Sequence, residues 1–231
     1  MQTWYWMSTV VQSWAELRLN KDENMKEQEL LRLKSMWEIE HGLFEKGYKN
    51  IAGVDEAGRG PLADAVYAAA VILPPDICIE GLNDSKKLSE KKREKLFDEI
   101  REASLAYAVA TASVEEIDEF NIRNATYMAM NRAIEALSLK PDYVIVDGDC
   151  IKDCNYPYEC VVKGDAKSLS IAAASVLAKV SRDRHMLRMA EKYPQYGFEK
   201  HKGYGTKVHI AALKEFGACE IHRKTFIKKF V

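Results

Sequence analysis

Residues 51–61 constrain the fold of this chain more than any other stretch. They read IAGVDEAGRGP, an apolar run typical of a strand that ends in two adjacent carboxylates, Asp55 and Glu56, before a glycine-rich turn. Adjacent acids at a strand end repel each other and gain nothing structural, whereas Mg²⁺ and Mn²⁺ favour carboxylate oxygens as ligands. Glycines on both sides of an arginine allow the backbone to approach a polyanion closely. The segment therefore predicts metal-assisted phosphodiester chemistry.

The composition is that of an ordinary globular protein, with 231 residues of which 47% are hydrophobic. This length fits one substantial domain with an appendage, or two small domains. No apolar run approaches the ~20 residues that a membrane-spanning helix needs, and the N-terminus lacks the pattern of a secretory signal. Five cysteines at irregular spacing indicate reduced thiols. We therefore expect a cytoplasmic protein with no membrane segment.

Charge is distributed unevenly along the chain, although the net charge is only −1. Residues 158–231 contain 15 Lys/Arg and 7 Asp/Glu, whereas the preceding 157 residues contain 19 Lys/Arg and 28 Asp/Glu. A basic C-terminal third is suited to a phosphate backbone. For any single lysine, a solvated helix face is the favoured explanation, so the clustering is only supporting evidence.

The pattern of the sequence changes at about residue 47. We predict an N-terminal extension over residues 1–47, partly helical, and a catalytic domain over 48–231 whose C-terminal helical part begins at about 194. Residues 25–47 suit a helix, because Leu30, Leu33 and Trp37 recur at helical spacing. The first 24 residues have no clean period, which leaves open whether they are a flexible extension or precede a natural start at Met25.

From Tyr48 onward, strand and helix patterns mix, which predicts an α/β fold with a central sheet flanked by helices. The predicted strands are 50–56, 65–73, 105–112, 142–148 and 158–165. The predicted helices are 89–104, a stretch that opens with a Ser113–Glu116 capping box, 124–137, 166–193 and 207–216.

Acidic residues follow three of these strands. Asp55 and Glu56 end the first, Asp147 follows YVIV, and Asp165 follows VVKG. If these strands are neighbours, their carboxylates converge at one edge of the sheet, where α/β proteins bind ligands. Four carboxylates there would repel one another unless cations neutralised them, as in a two-metal site. Alone, Asp147 fits an ordinary turn and Asp165 a helix N-cap, but the combination favours a metal site.

Other segments suit a phosphate-rich ligand. The candidate residues are Lys86 and Lys87 in NDSKKLS, Lys179, Arg182 and Arg184 in KVSRDR, and Tyr204 in HKGYGT. A lysine can act as a point charge on a phosphate, and an exposed tyrosine can stack on a base or sugar. Solvated lysines and a tyrosine buried at a turn are the alternative explanations.

Seven segments, in this order and at this spacing, resemble the bacterial ribonuclease HII family. They are GVDEAGRGPLA, LNDSKKLS, VIVDG, VVKGDAKS, AAASVLAKVSRDR, YGFEKHKGYGT and HRKTF, and they cover residues 48–227. The resemblance implies a ribonuclease H-like fold with a mixed central sheet and a small C-terminal helical part. It also implies cleavage of the RNA strand of RNA/DNA hybrids, and incision 5′ to single ribonucleotides in duplex DNA. Mg²⁺ or Mn²⁺ would be required, and the products would carry 5′-phosphate and 3′-hydroxyl ends.

The resemblance further implies roles for individual residues. The catalytic, metal-binding acids would be Asp55, Glu56, Asp147 and Asp165. The substrate-binding residues would be Gly58, Arg59 and Gly60 at the ribose 2′-hydroxyl, Tyr204 beside the ribonucleotide, and Lys86, Lys87, Lys179, Arg182 and Arg184 at backbone phosphates. The 2′-hydroxyl is the feature that distinguishes RNA from DNA at a given site.

One position departs from the family pattern. Asp64 lies in a segment where the family usually has a glycine and often a proline, and it adds a fifth carboxylate near the site. It either points to solvent or alters the metal balance or the turn geometry. We exclude it from the predicted catalytic set. Cys150 and Cys154 have no second pair to complete a zinc site, and His222 is interpreted as a structural or backbone-contacting residue rather than a general base.

Two alternatives compete with this interpretation. Ribonuclease HIII shares the fold and metals but normally carries a sizeable N-terminal domain, for which fifty residues are too few. A hybrid-binding module with a decayed active site is the non-enzymatic alternative, and the complete set of acids argues against it. We expect a monomer. The C-terminal IKKFV leaves open a contact with a replication clamp.

Overall fold

The computed structural model describes residues 26–231. The two interpretations of residues 1–24 therefore lie outside the described part of the chain. Within that part, the strands form a five-stranded sheet in the order β3-β2-β1-β4-β5. The strands are β1 (Ile51–Ala57), β2 (Val66–Ile72), β3 (Ala106–Ala112), β4 (Tyr143–Asp147) and β5 (Tyr158–Val161).

The sheet is mixed, as predicted. β1, β2 and β3 pair in antiparallel fashion, whereas β4 pairs in parallel with both β1 and β5. The parallel register places Gly53 beside Ile145 and Asp147 beside Val161. The carboxyl ends of β1, β4 and β5 consequently meet at one edge of the sheet.

Helices cover both faces of the sheet and form the C-terminal part. They are α1 (26–35), α2 (Glu38–Glu45), α3 (Glu90–Ala103), α4 (Val114–Glu135), α5 (Leu169–Lys192), α6 (Phe198–His201), α7 (Lys207–Phe216) and α8 (Lys224–Ile227). Short 3₁₀ turns lie at Ser85–Lys87, Gly164–Ala166 and Pro194–Tyr196.

Helix α5 packs across β1 and β2, and the sequence explains how it comes so close. A Cβ added to Gly53 would lie 2.2 Å from the carbonyl carbon of Ser170, so only glycine fits under the first turn of the helix. The run Ala172–Ala174 is fully buried. α4 packs on the opposite face of the sheet, against β2 and β3. Small residues at the α5 contact thus fix the distance between helix and sheet.

Two predicted elements have different boundaries. The strand predicted over 158–165 ends at Val161, because Lys163 is left-handed (φ 58°) and Gly164 opens a 3₁₀ turn. The helix predicted from residue 166 begins at Leu169, where the Ser168 hydroxyl accepts a hydrogen bond from the Ile171 N–H. Asp165 therefore lies in a turn rather than at a strand end.

Helix α4 is interrupted at Asn121, which has φ 67°. The Asn121 side chain accepts hydrogen bonds from the N–H groups of Arg123 and Asn124 and so caps the second segment. The predicted capping box of Ser113 and Glu116 opens the first segment, and this prediction is confirmed.

The predicted helix 25–47 is broken at residues 36–37 into α1 and α2. Leu33 and Trp37 are buried as expected, whereas Leu30 is exposed. Glu40 of α2 is also fully buried, and it accepts hydrogen bonds from the Ser168 hydroxyl (2.7 Å) and the Ser170 N–H (3.1 Å). Both helices thus share the core of the sheet, and the domain boundaries at 47 and 194 stay predictions.

A separate apolar cluster organises the C-terminal part, with Met186, Tyr196, Phe198, Leu213 and Ile227 at its centre. The five cysteines are free thiols. Over residues 26–231, no helix combines the length and the apolar character needed to cross a membrane.

Candidate active site

Three carboxylates converge at the shared edge of β1, β4 and β5. Asp55, Asp147 and Asp165 each offer an oxygen atom, and these atoms all lie within 4.8 Å of one another. Among the described residues, this is the one group of three or more His, Cys, Asp or Glu side chains at metal-ligand spacing. Asp55 and Asp165 are buried. The parallel strand order brings these acids together although 110 residues separate the first from the last.

Backbone hydrogen bonds orient two of these carboxylates. Asp55 Oδ1 accepts from the Glu56 N–H at 2.6 Å, and Asp147 Oδ1 accepts from the Gly164 N–H at 2.6 Å. Gly164 can approach this closely because it has no side chain, since an added Cβ would lie 2.6 Å from Ile171 Cδ1. One oxygen of each carboxylate is thus anchored.

The electrostatics of this group favour a cation. Burial raises the pKa of Asp55 well above its ordinary value, and the negative charges of Glu56 and Asp147 raise it further. Burial also raises the pKa of Asp165, with Asp147 adding to the effect. An all-oxygen set of crowded carboxylates, two of them buried and Asp147 partly exposed, matches the preference of a hard divalent ion, which would neutralise the repulsion. The residues present therefore fit Mg²⁺ or Mn²⁺.

Glu56 lies next to the group but is not part of it. Its side chain pairs with Arg59 at 3.6 Å. Burial raises the pKa of Glu56, Asp147 adds to this, and the positive charges of Arg59 and Lys86 oppose it. The structure thus places three of the four predicted acids within ligand distance of one another, and the fourth is the residue next to Asp55, paired with Arg59.

Lys86 is the predicted basic residue that faces the acids. It lies in the 3₁₀ turn that Asp84 caps. Burial acts to lower the pKa of Lys86, but the combined negative charges of Asp55, Asp165 and other nearby aspartates outweigh it and raise the pKa. Lys87 points into a different cleft, which is lined by Lys26, Arg32 and Lys92 among others.

Ser175 escaped the sequence analysis. It is buried, its hydroxyl lies 2.8 Å from that of Ser85, and a hydrogen bond from its side chain lowers the pKa of Asp55 against the larger effects above. Ser175 thus connects Asp55 with the loop that carries Lys86. The available signal was a serine within the otherwise apolar run AAASVLA.

The Gly58–Gly60 turn borders the acids. Gly58 has φ +98°, and an added Cβ would lie 2.3 Å from Arg182 Nε, so glycine is required there twice over. Gly60 is exposed, and a Cβ placed on it would lie 3.6 Å from Tyr204 Cε1. The ring of Tyr204, which is 46% exposed, therefore stands beside this turn.

The remaining basic residues have different environments. Lys179 pairs with Asp183 at 2.7 Å and lines a cleft of about 460 Å³ together with Tyr204 and Lys202. Arg184 pairs with Glu94 of α3 and lies over the ring of Phe97.

Arg182 contradicts the predicted phosphate contact. It is 1% exposed and donates hydrogen bonds to the carbonyl oxygens of Ala63 and Lys202. Its guanidinium supports the loops around the site from within the protein. The sequence motif KVSRDR places this arginine on the buried face of α5, whereas neighbouring Arg184 is half-exposed.

Arg223 supports the same loop and was also missed. Its fully buried guanidinium donates hydrogen bonds to five backbone carbonyls, those of Gly58, Arg59, Pro61, Asp64 and Ala65, at 2.6–3.3 Å. Burial lowers the pKa of Arg223 to about 9, and the nearby charge of Arg182 acts in the same direction.

Asp64 does not point to solvent. It is buried, has φ 76°, and approaches His185 Nε2 at 3.3 Å. Burial lowers the pKa of Arg182 and of Arg223, and the negative charge of Asp64 acts in the opposite direction on both. The left-handed backbone explains why a glycine suits this position, and aspartate is among the few other residues that tolerate it. Asp64 is separate from the three convergent acids, and the ion pair of its carboxylate is with His185.

Comparison with known proteins gives a consistent result. The sequence model of the Ribonuclease HII family matches residues 52–229. The ribonuclease HII of Caldicellulosiruptor saccharolyticus is 58% identical over 195 residues, which cover 84% of this chain and 95% of the relative.

Two solved structures are similar as well. Ribonuclease H2 from Pyrococcus horikoshii superimposes with a TM-score of 0.66 at 28% identity, covering 79% of this chain and 97% of its own. Ribonuclease HII in the PCNA:RNase HII complex from Archaeoglobus fulgidus gives a TM-score of 0.63 at 30% identity, covering 76% and 94%. The predicted ribonuclease H-like fold is confirmed. On the sequence match and the fold together, this chain belongs to the ribonuclease HII family, hydrolytic nucleases that depend on divalent metals and cleave RNA/DNA hybrids.

Proposed function

We propose that this enzyme, besides cleaving the RNA strand of RNA/DNA hybrids, incises duplex DNA 5′ to single embedded ribonucleotides and leaves 5′-phosphate and 3′-hydroxyl ends. The observation that carries the proposal is the position of three convergent carboxylates beside a glycine turn and an exposed tyrosine. This arrangement puts a hydrolytic centre next to a surface that can recognise a single sugar.

Asp55, Asp147 and Asp165 would bind the metal, with Glu56 as the fourth acid, and Mn²⁺ or Mg²⁺ is the proposed cofactor in a two-ion arrangement. Ions bound there would polarise the scissile phosphate and lower the pKa of an attacking water. The protein itself contributes orientation. The N–H groups of Glu56 and Gly164 fix one oxygen on each of two carboxylates, which leaves the opposite oxygens available to ligands.

Recognition of the ribose is assigned to the Gly58–Gly60 turn and Tyr204. Gly60 is exposed and carries no side chain, so backbone groups can come within hydrogen-bond distance of a 2′-hydroxyl. The ring of Tyr204 can pack against the sugar on the same side. Arg59, with a half-exposed side chain, adds a positive charge at the rim.

Contacts with the phosphate backbone of the nucleic acid are assigned to Lys86 and Lys179. Lys86 lies near the carboxylates of Asp55 and Asp165, and Lys179 lines the cleft that Tyr204 also lines. Lys87 and Arg184 are further proposed phosphate contacts. Lys87 lines the cleft that Lys26 and Lys92 also line, and Arg184 is paired with Glu94. We propose a cytoplasmic monomer. A contact between the C-terminal IKKFV and a replication clamp is a further proposal, prompted by the PCNA complex of the Archaeoglobus fulgidus enzyme.

The decisive assay uses an end-labelled DNA duplex that contains one ribonucleotide, with an all-DNA duplex and a long RNA/DNA hybrid alongside. We expect a single cut 5′ to the ribonucleotide with Mg²⁺ or Mn²⁺, and no cut with a chelator or in Asp55→Asn, which should still bind the hybrid. A hybrid that is cut while the single-ribonucleotide duplex stays whole would refute the finer specificity. Retained cleavage by Asp55→Asn at saturating Mg²⁺ would refute the metal assignment.

The role of Tyr204 has a matched control in Tyr158. The two tyrosines are 46% and 44% exposed, but Tyr158 begins β5, at the end opposite Asp147 and Val161. Tyr204→Ala should lower single-ribonucleotide incision about tenfold or more and leave the binding of plain duplex nearly unchanged. Tyr158→Ala should change neither. Equal losses in incision and plain-duplex binding would remove Tyr204 from ribose recognition.

A further inference from the structure

Two buried histidines of the C-terminal part form a hydrogen-bonded chain that ends at Tyr204. His209 Nδ1 lies 3.0 Å from the carbonyl oxygen of Tyr204, and His209 Nε2 lies 3.0 Å from His222 Nε2. At the far end, the Cys219 N–H donates to His222 Nδ1 at 2.9 Å. No step of hydrolysis uses these groups.

The partners determine the tautomer of both rings. A carbonyl oxygen only accepts, so Nδ1 of His209 carries the hydrogen and its Nε2 is bare. An N–H only donates, so Nδ1 of His222 is bare and its Nε2 carries the hydrogen. The His222 Nε2–H therefore donates to His209 Nε2, and every ring nitrogen has a partner of the correct kind.

The surroundings keep both rings neutral. His209 and His222 are 0% and 2% exposed. The titratable side chains that face them are His201, stacked on His209 at 4.6 Å, Tyr196, whose ring is 4.9 Å from that of His222, and Cys219, whose Sγ lies 3.1 Å from His222 Nδ1. A proton on either ring would place two N–H donors against each other, or an N–H donor against the Cys219 N–H.

Arg223, the residue after His222, contacts the loop that contains the Gly58–Gly60 turn, the second element of the proposed ribose site. Arg223 binds the five carbonyls of the Gly58–Ala65 loop described above. The backbone around it pairs with the same loop, because Asp64 N–H donates to Ile221 O (2.7 Å) and Arg223 N–H donates to Leu62 O (2.9 Å). His222 is thereby bridged to Ala63 in antiparallel fashion. One dipeptide thus contacts the glycine turn directly and Tyr204 through His209.

We propose that His222 and Arg223 are positioning residues that align Tyr204 with the Gly58–Gly60 turn, and that this alignment sets the selectivity for a single embedded ribonucleotide. The proposal rests on the proposed function. An embedded ribonucleotide offers a single 2′-hydroxyl, so its placement depends on the Gly58–Gly60 turn and Tyr204 alone, whereas a long hybrid carries further 2′-hydroxyls on neighbouring nucleotides that can help to hold the strand in place. A displaced tyrosine consequently costs more on the first substrate than on the second.

The test compares three variants of the full chain. His222→Phe keeps an aromatic ring against Tyr196 but removes the donor to His209. His222→Gln restores an N–H donor of similar reach. Ile227→Ala removes buried volume from the same apolar cluster and lies outside the hydrogen-bonded chain, so it controls for loss of stability. kcat and KM are measured for the single-ribonucleotide duplex and for a long hybrid at a temperature where all variants are folded.

We expect His222→Phe to lose about tenfold in kcat on the single-ribonucleotide duplex and less than about threefold on the hybrid. His222→Gln should recover most of the loss, and Ile227→Ala should change both substrates equally. Nitrogen NMR of labelled histidine in the wild type should show a protonated Nδ1 on His209 and a protonated Nε2 on His222.

Equal losses of His222→Phe on both substrates, or reversed tautomers, would overturn the proposal. Failure of the wild type to incise the single-ribonucleotide duplex would instead refute the proposed function, and the tautomers would then still report on the hydrogen-bonded chain. The two failures are therefore distinguishable.

Discussion

Replacing Asp55 by asparagine should destroy activity and at the same time stabilise the metal-free protein. The acidic oxygens of Asp55, Asp147 and Asp165 lie within 4.8 Å of one another. Two unit charges at that distance repel by roughly 3.5 kcal/mol at an effective dielectric constant of about 20. Asparagine keeps the Oδ1 that accepts from the Glu56 N–H and removes the charge.

The net gain is smaller than the sum of two such pairs, because a repelled carboxyl can take up a proton and water screens the rim. We expect the free energy of unfolding in EDTA to rise by about 2 kcal/mol. For a chain of this size, that corresponds to an increase in Tm of roughly 4–8 °C. Saturating Mn²⁺ should raise the Tm of the wild type more than that of the variant, because the variant has lost a ligand.

The assay is thermal unfolding at pH 8 with EDTA and with Mn²⁺, and Asp142→Asn is the matched control. Both oxygens of Asp142 accept backbone hydrogen bonds, from Lys49 and Asn50, so its replacement loses a contact without relieving repulsion. Its Tm should fall or stay constant. If Asp55→Asn is no more stable than the wild type in EDTA, repulsion between the three carboxylates does not destabilise the metal-free protein. Relief of that repulsion would then not be a reason for the site to bind a metal ion.

Further predictions concern the framework of the site. Glu40→Ala should lower the free energy of unfolding by about 2–4 kcal/mol and Glu40→Gln by less in urea titrations, because only glutamine retains an acceptor for Ser168 and Ser170. Gly53→Ala should cost about 3 kcal/mol or more, since its Cβ meets the α5 backbone, whereas Gly42→Ala, with open space around it, should be neutral or stabilising. Burial lowers the pKa of His222 to about 4 from 6.5. The unfolded chain therefore binds more protons between these values, and stability should fall by up to about 3 kcal/mol as the pH drops from 6.5 to 4, a dependence that His222→Phe should weaken.

Much of the site could be predicted because it depends on the pattern of residues that are neighbours in the sequence. An apolar strand followed by carboxylates can be recognised in the sequence, and the parallel pairing of β1 with β4 and of β4 with β5 brings the strand ends together. Asp55 and Asp147 follow this logic. Asp165 reaches the same point through a 3₁₀ turn, because the left-handed Lys163 ends β5 earlier than the apolar pattern predicts.

The arginines show that the pattern of neighbouring residues does not determine whether a side chain is buried. Arg182 and Arg223 have the same side chain as Arg59, yet they are buried and donate to backbone carbonyls, while Arg59 is half-exposed at the rim. Apart from Lys202, which is 20 residues from Arg182, their carbonyl partners lie 119 to 165 residues away along the chain. Burial depends on which distant segments pack over a residue, and no window of neighbouring residues contains that information.

The sequence by itself determined the chemical groups of this enzyme, the strand ends that carry its acids and the glycines that its turns require, because each depends on covalent structure and near neighbours. The tertiary structure alone decided that Arg182 and Arg223 are buried beneath the loops of the site, that the Asp64 carboxylate approaches His185, and that His209 and His222 connect Cys219 to Tyr204. These contacts arise because folding excludes water from polar groups that are remote in sequence, and a buried donor or acceptor must then find its partner wherever the packed chain supplies one.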